Sequence, residues 1–167
     1  MDDQLRSAFI DAMSRVVTGV TIVTTAGPAG RFGQTVSAIC SVSADPPMVL
    51  CCINARSPIC DAIRANGRFA VNVLAADQAE ISDVFAGRSP DHGRFDFGVG
   101  VWLEDDHGQP LLRDGVASFA CEMDDGHPAG SHTIFVGRVL DIVSSSEDRT
   151  PLLYMTRAYG KPVLSGA

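Results

Sequence analysis

Hydroxyl-bearing and small residues recur along one short segment, GQTVSAICSVSADPP, which covers positions 33–47. Its threonine, valine and isoleucine residues favour a β-strand, whereas Ser37, Ser41 and Ser43 supply more hydroxyl groups than a half-buried strand needs. A flat, amphipathic ring system can lie against a strand only where side chains are short. Hydroxyl and backbone N–H groups then meet its polar rim. The segment therefore indicates a surface for such a ring, and the alternative is that its serines only pack within a tight sheet.

A second segment with the features of a binding site is NARSPICDAIRANG at positions 54–67. Ser57 is a favourable N-cap, Pro58 suits the first helical position and Gly67 suits the C-terminal cap, so the segment predicts a short helix. The free N–H groups and the positive dipole at the start of a helix suit a phosphate, and the Ser57 hydroxyl would help to bind it. The alternative is that Ser57 caps the helix and does nothing else.

Several common sites are excluded because their sequence patterns are missing. The nearest approach to a dinucleotide-binding fingerprint, GVGVWL at 98–103, lacks the third glycine and a following helix. The chain contains no P-loop and no G-x-S-x-G nucleophile elbow. The four histidines are scattered and no two cysteines form a C-x-x-C pair, so we expect no metal site. Nicotinamide or flavin binding without a Rossmann unit remains compatible with the sequence.

Composition restricts the class of protein further. A chain of 167 residues suits one domain, 1–167, and a hydrophobic content of 46% predicts a folded globule. The formal net charge of −7 argues against nucleic-acid binding, which needs a basic face. The longest apolar run, 48–53, is too short to span a bilayer. Five cysteines, an odd number and mostly in apolar runs, are best explained as reduced, buried thiols in a cytoplasmic protein.

The elements that must position these segments can be predicted from periodicity, turn residues and caps. Helices are predicted over 2–19, within 54–67 and over 77–87, and strands over 20–25, 32–39, 47–53, 68–74, 116–123, 132–143 and near Trp102. The third helix is expected to begin with a capping box of Asp77 and Glu80 and to end at Gly87. Strands and helices do not alternate strictly, so the predicted fold is mainly β with helices, as a closed or nearly closed antiparallel barrel.

Six blocks, spread over nearly the whole chain, match one known family. They are FIDAMSRVVTGVTIVTT, GQTVSAICSVSADPPMVLCCINARS, RFAVNVLAADQAEISDVFAG, GRFDFGVGVW, GSHTIFVGRV and PLLYMTRAYGKP. In these blocks the sequence resembles the short-chain flavin reductases, which are the reductase components of two-component flavin-dependent monooxygenases. The second block is the most specific of the six. The resemblance implies the FMN-binding split β-barrel, an antiparallel, Greek-key-like fold.

The resemblance also implies which residues bind the flavin. The isoalloxazine ring would lie along 34–42, the ribityl chain and phosphate near a helix start, and a third segment would complete the pocket. The residues implied are, in that order, Gln34, Thr35, Val36, Ser37, Ser41 and Val42; Asn54 and Ser57; and Phe85, Ala86 and Gly87. This assignment agrees with the physical argument that short side chains face a flat ring.

Three further residues are implied on the nicotinamide side. In related proteins a histidine that corresponds to His132 lies near the nicotinamide, so His132 is the predicted catalytic residue. The family commonly has Gly-Asp-His where this chain has Gly130, Ser131 and His132, so the imidazole loses an acidic partner. Tyr154 and Tyr159 are predicted to stack on the nicotinamide or to screen the flavin, and the alternative is that each only packs at an edge.

The activity implied by the resemblance is a flavin reduction, in which NAD(P)H and oxidised flavin give NAD(P)+ and reduced flavin. The cofactors would be FAD or FMN, with NADH or NADPH as the hydride donor. Arg31, Arg56 and Arg64 are candidates for the extra phosphate of NADPH, but no pattern selects among them. The implied partners are a second copy of the chain, in a homodimer, and a separate monooxygenase that receives the reduced flavin. Neither a nucleic acid nor a membrane is an expected partner.

Three other classes of function stay open at this point. A non-catalytic flavin carrier or sensor could use the same barrel. A split-barrel oxidase acting on a small amine, such as a pyridoxine phosphate, would need a basic cluster, and the late strands offer only Arg138 and Arg157. A thiol-based redox protein would have to use Cys51 and Cys52, and adjacent residues of a strand point to opposite faces of the sheet.

Overall fold

The structure, a computed structural model, describes residues 3–145 and 148–163. Three α-helices are present: α1 (Asp3–Ser14), α2 (Pro58–Asn66) and α3 (Ala79–Phe85). The strands are β1 (Thr18–Gly19), β2 (Thr21–Thr25), β3 (Phe32–Val36), β4 (Ile39–Ala44), β5 (Pro47–Asn54), β6 (Arg68–Val73), β7 (Trp102–Glu104), β8 (Pro110–Leu112), β9 (Ala117–Ala129), β10 (His132–Ser144), β11 (Leu153–Met155) and β12 (Ala158–Gly160). The predicted class, mainly β with helices, is therefore confirmed.

One seven-stranded sheet forms the body of the molecule. Its order is β3-β2-β6-β9-β10-β5-β4, and every neighbouring pair is antiparallel. The first and last strands of this order, β3 and β4, are separated in sequence only by Ser37 and Ala38. These two residues carry the chain from one edge of the sheet to the other, and the carbonyl of Ala38 accepts a hydrogen bond of 2.9 Å from the backbone N–H of Cys52. The sheet is thus an antiparallel barrel that is split between β3 and β4.

The sequence segment that we took as one strand followed by a connection has a different structure. The predicted strand 32–39 is broken at Ser37, and residues 39–44, which were predicted as its end and the following link, form β4. The prediction was wrong here because β4 pairs with β5 over an irregular register, with a shift between Ser41 and Ser43. Pairing with a distant strand overrides the turn residues that the local sequence contains.

The two larger apolar clusters of the core lie on either side of β2. Its five residues are all buried, and alternate side chains point to opposite faces of the strand. Val23 packs into the barrel interior with Phe69 and Phe135, and α2 closes this cluster with its apolar face. Ile22 packs on the other side, against α3 and the apolar C-terminal segment. Leu152 of the C-terminal segment is 2% exposed and packs into this second cluster.

The ends of the helices differ in part from the predicted ones. Gly67 adopts a left-handed conformation, with φ of 69°, and its N–H donates to the carbonyl of Ile63, as expected of the C-terminal cap of α2. The predicted capping box of α3 is wrong. Gln78 precedes this helix and makes no capping hydrogen bond through its side chain, and the Asp77 carboxylate accepts a hydrogen bond of 2.7 Å from Arg149.

The first helix also differs from its prediction. α1 ends at Ser14, and Gly19, expected to end it, lies in β1. No residue of α1 is buried, and large apolar side chains of this helix are exposed to solvent, with Phe9 at 63% and Met13 at 48%. Position 2, which belonged to the predicted helix, lies outside the described residues. The side chains of Phe9 and Met13 on α1 are therefore largely exposed within the described part of this chain.

Candidate active site

A first cavity of about 470 Å³ lies between β3, the start of α2 and the end of α3. Its lining consists of Gln34, Thr35, Asn54, Arg56, Ser57, Pro58, Phe85, Ala86, Arg94 and Phe95. Six of these residues were predicted to bind flavin, and they come from three separate segments of the sequence. The fold therefore brings together the first residues of segment 34–42, which was predicted to hold the ring, with the start of α2 and the end of α3.

The Ser57 hydroxyl does not cap α2, although Ser57 occupies the N-cap position with an extended backbone. It donates a hydrogen bond to the side-chain oxygen of Gln34 on β3 instead. Asn54 uses its side-chain oxygen locally, where it accepts a hydrogen bond of 3.0 Å from the backbone N–H of Arg56. These two contacts connect the start of α2 to β3 and leave the amide NH2 groups of Gln34 and Asn54 without a partner among residues 3–145 and 148–163.

A second cavity, of about 270 Å³, lies on the other side of the same wall. It is lined by Val20, Thr35, Ser37, Ser82, Ala86, Arg88, Tyr154 and Tyr159. Both predicted tyrosines are therefore on one wall, with ring centroids 5.6 Å apart. Of the ring segment, Thr35 and Ser37 reach this cavity.

A polar network holds the tyrosine wall against α3. The Tyr159 hydroxyl lies 2.8 Å from both Ser82 Oγ and Asp83 Oδ1, and it accepts a hydrogen bond of 2.6 Å from Arg88. Arg88 also forms an ion pair of 3.1 Å with Asp83 and lies 5.9 Å from the centre of the Tyr154 ring. Burial raises the pKa of Tyr159, so this hydroxyl stays protonated at neutral pH.

Thr35 and Ala86 belong to both cavities, so the two cavities share a wall. Thr35 Oγ1 donates a hydrogen bond of 2.6 Å to the carbonyl of Ser82, which fixes β3 against α3 at this point. The side chains at the shared wall are short, and Ser37 beyond them is exposed. A flat ring with a phosphate-bearing tail fits this arrangement. The short side chains of the shared wall leave room for the ring, and hydroxyl, amide and guanidinium donors in the first cavity are available to the phosphate.

Phe85 is held by an aromatic cluster behind the first cavity. Its ring centroid lies 5.0 Å from that of Phe97 and 5.4 Å from that of Trp102, and both contacts are edge-to-face. Gly33 lets the Phe85 ring approach β3, because a Cβ atom at position 33 would come within 2.5 Å of that ring. The back of the cavity is therefore rigid, and the loop that carries Phe97 is fastened to it.

Four of the predicted flavin-binding residues line neither cavity. Val36 is in the core, at 6% exposure, and the Thr21 hydroxyl donates to its carbonyl at 2.6 Å. Ser41 and Val42 are exposed on β4, at the opposite edge of the sheet. Gly87 lies beneath the Arg94 side chain. Segment 34–42 is thus shared between β3 and β4, the two strands at which the barrel is split. Of its predicted flavin-binding residues, only Gln34, Thr35 and Ser37 line the two cavities.

His132 also lies outside both cavities. It begins β10, where it is the register partner of Asn54 on β5, and its side chain is exposed. Its ring nitrogen Nδ1 is 2.9 Å from the hydroxyl of Ser131, the residue that replaces the family's usual aspartate. Within one copy of the chain, His132 therefore lies beside the first cavity, near Asn54, and not beside Tyr154 and Tyr159.

Sequence reasoning did not select several residues that line these cavities. Arg56 was considered only for the extra phosphate of NADPH, although its position between Asn54 and Ser57 is a signal that could have placed it in the first cavity. Arg88 and Arg94 lie at the beginning and in the middle of a loop without periodicity, and no local pattern identifies them. Their positions depend on the tertiary contacts of that loop.

The cysteines do not form a redox site. All five are free, and Cys51 and Cys121 are buried. Burial raises the pKa of Cys121 to about 12 and also raises that of Cys51. Since the thiolate is the reactive form of cysteine, buried thiols that stay protonated at neutral pH argue against the thiol-based alternative.

Residues 3–145 and 148–163 contain neither a candidate metal site nor a candidate membrane-spanning helix. No cluster of three or more histidine, cysteine or acidic side chains is placed to hold a metal ion. In the same part of the chain, no helix has the length and apolar character needed to cross a membrane.

Comparison with known proteins agrees with the geometry. Residues 13–162 match the family model described as the flavin reductase like domain. The chain is 40% identical, over 92% of its length and 91% of the relative's, to the FMN reductase (NADH) RutF of Cronobacter sakazakii.

Two solved structures are similar over almost their whole length. One is the NADH:FAD oxidoreductase SgcE6 of Streptomyces globisporus in complex with NAD and FAD fragments, with a TM-score of 0.88, 28% identity, and coverage of 100% of this chain and 98% of that one. The other is BorF, the flavin reductase component of a bacterial two-component tryptophan halogenase, with a TM-score of 0.83, 30% identity, and coverage of 93% and 97%. On the family match, the close relative and the shared fold, this chain belongs to the flavin reductase family.

Proposed function

We propose that the protein is an NAD(P)H:flavin oxidoreductase that reduces FMN or FAD, with NADH as the hydride donor. The observation that carries the proposal is the pair of cavities that share the low wall of Thr35 and Ala86. The first cavity offers hydrogen-bond donors for the phosphate of a flavin, and the second is lined by Tyr154 and Tyr159. A flavin ring that lay across the shared wall could therefore contact a nicotinamide ring in the second cavity. The names of the relatives, which include NADH, FMN and FAD, support the choice of cofactors.

The flavin would lie with its ring over Thr35, Ser37 and Ala86, and its phosphate near Asn54 and Ser57. Flavin and nicotinamide supply the chemistry of hydride transfer when they are bound. The protein's residues supply position, because holding two rings in contact converts a bimolecular encounter into an effectively unimolecular step. No strong general base is needed for this reaction.

Tyr154 and Tyr159 would exclude water from the side of Thr35 and Ala86 that faces the second cavity. The Tyr159 hydroxyl is bonded to Arg88, Ser82 and Asp83, and the Tyr154 ring packs against the Tyr159 ring at 5.6 Å. His132 keeps its predicted role on the nicotinamide side as a proposal. In one copy of the chain it lies near Asn54, so this role requires the nicotinamide nucleotide to extend to that end of the site.

We also propose that the reduced flavin leaves the protein and is used by a separate oxygenase. The first cavity is open to solvent and both of its arginine side chains are exposed, which favours exchange of the flavin over permanent retention. BorF, which has the same fold, is named as one component of a two-component system. A flavin that exchanges at each turnover should bind with micromolar affinity, about 8 kcal/mol.

The activity is tested by following NADH oxidation at 340 nm with FMN, FAD or no added flavin, and by repeating the assay with NADPH. We expect oxidation that depends on both enzyme and added flavin and that saturates at micromolar flavin. A non-catalytic carrier or sensor would bind flavin but would oxidise NADH no faster than free flavin does. That result would overturn the proposed activity while leaving the binding site in place.

We further propose that the protein is a homodimer and that α1 lies in the interface. A 12-residue helix is marginally stable alone in water, and this one has no buried residue and an exposed apolar face that includes Leu5, Phe9 and Met13. A second copy of the chain is always present at the same concentration as the first. In a dimer with two-fold symmetry, the apolar face of α1 in one copy would pack against the same face in the other.

We also propose a cytoplasmic location and a single domain. The five free thiols support the location, and the family match over residues 13–162 supports the single domain.

Substituting Phe9 with glutamate is expected to convert the dimer to a monomer, because the charge would have to be buried in an apolar contact. Sedimentation equilibrium measures the mass of the species in solution directly. Ser7→Glu, on the polar side of α1, is the matched control and should keep the dimer. A native protein that sediments at the mass of one chain would contradict the proposal.

A further inference from the structure

The side chain of Asp83 connects α3 to the loop that follows it and to the β11–β12 hairpin. Its Oδ1 atom is 2.8 Å from the Tyr159 hydroxyl on β12, and the same oxygen forms an ion pair of 3.1 Å with Arg88 at the start of the loop. The backbone carbonyl of Asp83 also accepts a hydrogen bond of 2.8 Å from the backbone N–H of Arg88. One residue of α3 therefore fixes both the loop and the hairpin.

The sheet alone holds Tyr159 weakly. β12 has three residues, lies at the edge of a sheet with the order β1-β11-β12, and among the described strands pairs only with β11. The turn before it is fastened to α1 by a hydrogen bond of 2.6 Å from the Thr156 N–H to the Ser14 carbonyl. Thr156 and Arg157 in this turn have φ of 49° and 62°, in the left-handed region that favours glycine, so the turn is strained. The position of the Tyr159 ring therefore depends on the bonds of its hydroxyl.

The Tyr159 hydroxyl is used within the protein, so the second cavity is lined by the ring. The hydroxyl accepts a hydrogen bond of 2.6 Å from Arg88, and its single proton lies between two acceptors, Ser82 Oγ and Asp83 Oδ1, each at 2.8 Å. The ring then lines the cavity beside that of Tyr154, with the two centroids 5.6 Å apart. Two aromatic rings side by side suit a flat ring as the ligand.

Asp83 also neutralises a charge at the second cavity. Arg88 is the single charged residue among those that line this cavity in the described part of the chain. A nicotinamide ring gains a positive charge when it gives up a hydride, and an unpaired guanidinium beside it would oppose that change. Asp83 itself lines neither cavity, so it acts through Arg88 and Tyr159 and not by contact with a ligand.

We propose that Asp83 is a positioning residue for the hydride donor: through Tyr159 and Arg88 it holds the wall of the second cavity against which the nicotinamide ring binds. The proposal rests on the proposed function of the site. The residues proposed to hold the flavin, such as Thr35 and Ser57, use other partners for their hydroxyl groups. Loss of Asp83 should therefore weaken the nicotinamide nucleotide selectively and leave the flavin bound.

The test is anaerobic stopped-flow reduction of FMN, bound to an excess of native protein or of Asp83→Ala, over a series of NADH concentrations. The dependence of the rate on concentration gives the dissociation constant of NADH. We expect this constant to rise about 10-fold in Asp83→Ala, which corresponds to the loss of one ordered aromatic contact. The dissociation constant of FMN, from fluorescence quenching, should stay within about twofold of the native value. Asp61→Ala, which removes an exposed, ion-paired aspartate from α2, is the matched control and should change neither constant.

A double-variant cycle tests whether Asp83 acts through the Tyr159 hydroxyl. Tyr159→Phe keeps the ring and removes only the hydroxyl, so it should also weaken NADH and spare FMN. When Asp83→Ala and Tyr159→Phe are combined, the loss of NADH affinity should be smaller than the product of the two separate losses, because both changes break the same contact. A general loss of structure would weaken FMN as well.

Different results would overturn the inference and the proposed function. The role of Asp83 would be wrong if Asp83→Ala left the NADH constant within about twofold of native, if it weakened FMN as much as NADH, or if the two losses multiplied in the double variant. In each case, reduction of FMN by NADH in the native protein would leave the proposed function standing. If the native protein did not accelerate NADH oxidation with any flavin, the proposed function itself would be wrong.

Discussion

Replacing Ala86 with tryptophan is expected to abolish flavin binding while leaving the fold intact. Ala86 is the short residue at the wall shared by both cavities, and an indole there would occupy the place proposed for the ring. Its backbone is right-handed helical, with φ of −82°, so the larger residue brings no backbone strain. We expect the dissociation constant of FMN to rise at least 100-fold, which is about 2.7 kcal/mol. Flavin titration by fluorescence quenching measures it.

The matched control for this substitution is Ala65→Trp. Ala65 is exposed on α2, so its tryptophan adds the same side chain away from both cavities. Flavin affinity should then stay within about twofold of the native value, and urea unfolding should give both variants stabilities within about 1 kcal/mol of the native protein. An Ala86→Trp protein that is folded and binds FMN normally would show that the flavin lies elsewhere.

The largest loss of stability is expected from Asn72→Leu. Asn72 is fully buried on β6, and its amide nitrogen donates to the Ile22 carbonyl at 3.0 Å and to Thr24 Oγ1 at 3.1 Å. Its side-chain oxygen accepts a hydrogen bond of 2.8 Å from the backbone N–H of Leu112 on β8. Asn72 also donates a longer bond of 3.5 Å to the Pro110 carbonyl. Leucine is similar in size but removes all four bonds and leaves buried polar groups without partners, each at a cost of about 1 to 3 kcal/mol.

We therefore expect Asn72→Leu to lower the free energy of unfolding by at least about 3 kcal/mol, measured by urea denaturation at one fixed protein concentration, since the stability of the proposed dimer would depend on concentration. Ser118→Ala is the control, because the Ser118 hydroxyl makes one long bond of 3.4 Å to the Leu112 carbonyl. Its loss should be below about 1 kcal/mol. An equal, small effect of both substitutions would mean that the Asn72 bonds contribute little.

These two predictions concern connected parts of the molecule. Asn72 fixes β8, which pairs with β7, and β7 carries Trp102. The Trp102 ring packs against Phe85, whose ring also lines the first cavity. A buried polar residue in the barrel thus supports the rigid back of the proposed flavin site through one short ribbon. The order of the cavity depends on this packing as well as on the residues that line it.

The sequence by itself determined the family, the antiparallel fold class and the segments that form the site. Such properties are encoded locally: residue 57 and Pro58 begin a helix and Gly67 ends it, whatever else surrounds them. Thr35, Asn54 and Ala86, which the resemblance implies as flavin-binding residues, line one cavity, and their role in binding stays a prediction. Short side chains and turn residues carry this information because their size and backbone preferences do not depend on the rest of the fold.

Only the tertiary structure decided how the segments are used. The chain leaves β3 at Ser37 and pairs again as β4 at the far edge of the sheet, which removes Ser41 from the cavities that Thr35 lines. Arg94 reaches the first cavity because its loop is fastened by Phe97 to the cluster behind Phe85 and because Gly87 leaves room for it. Strand pairing and loop packing are contacts between residues distant in sequence, and no local pattern encodes them.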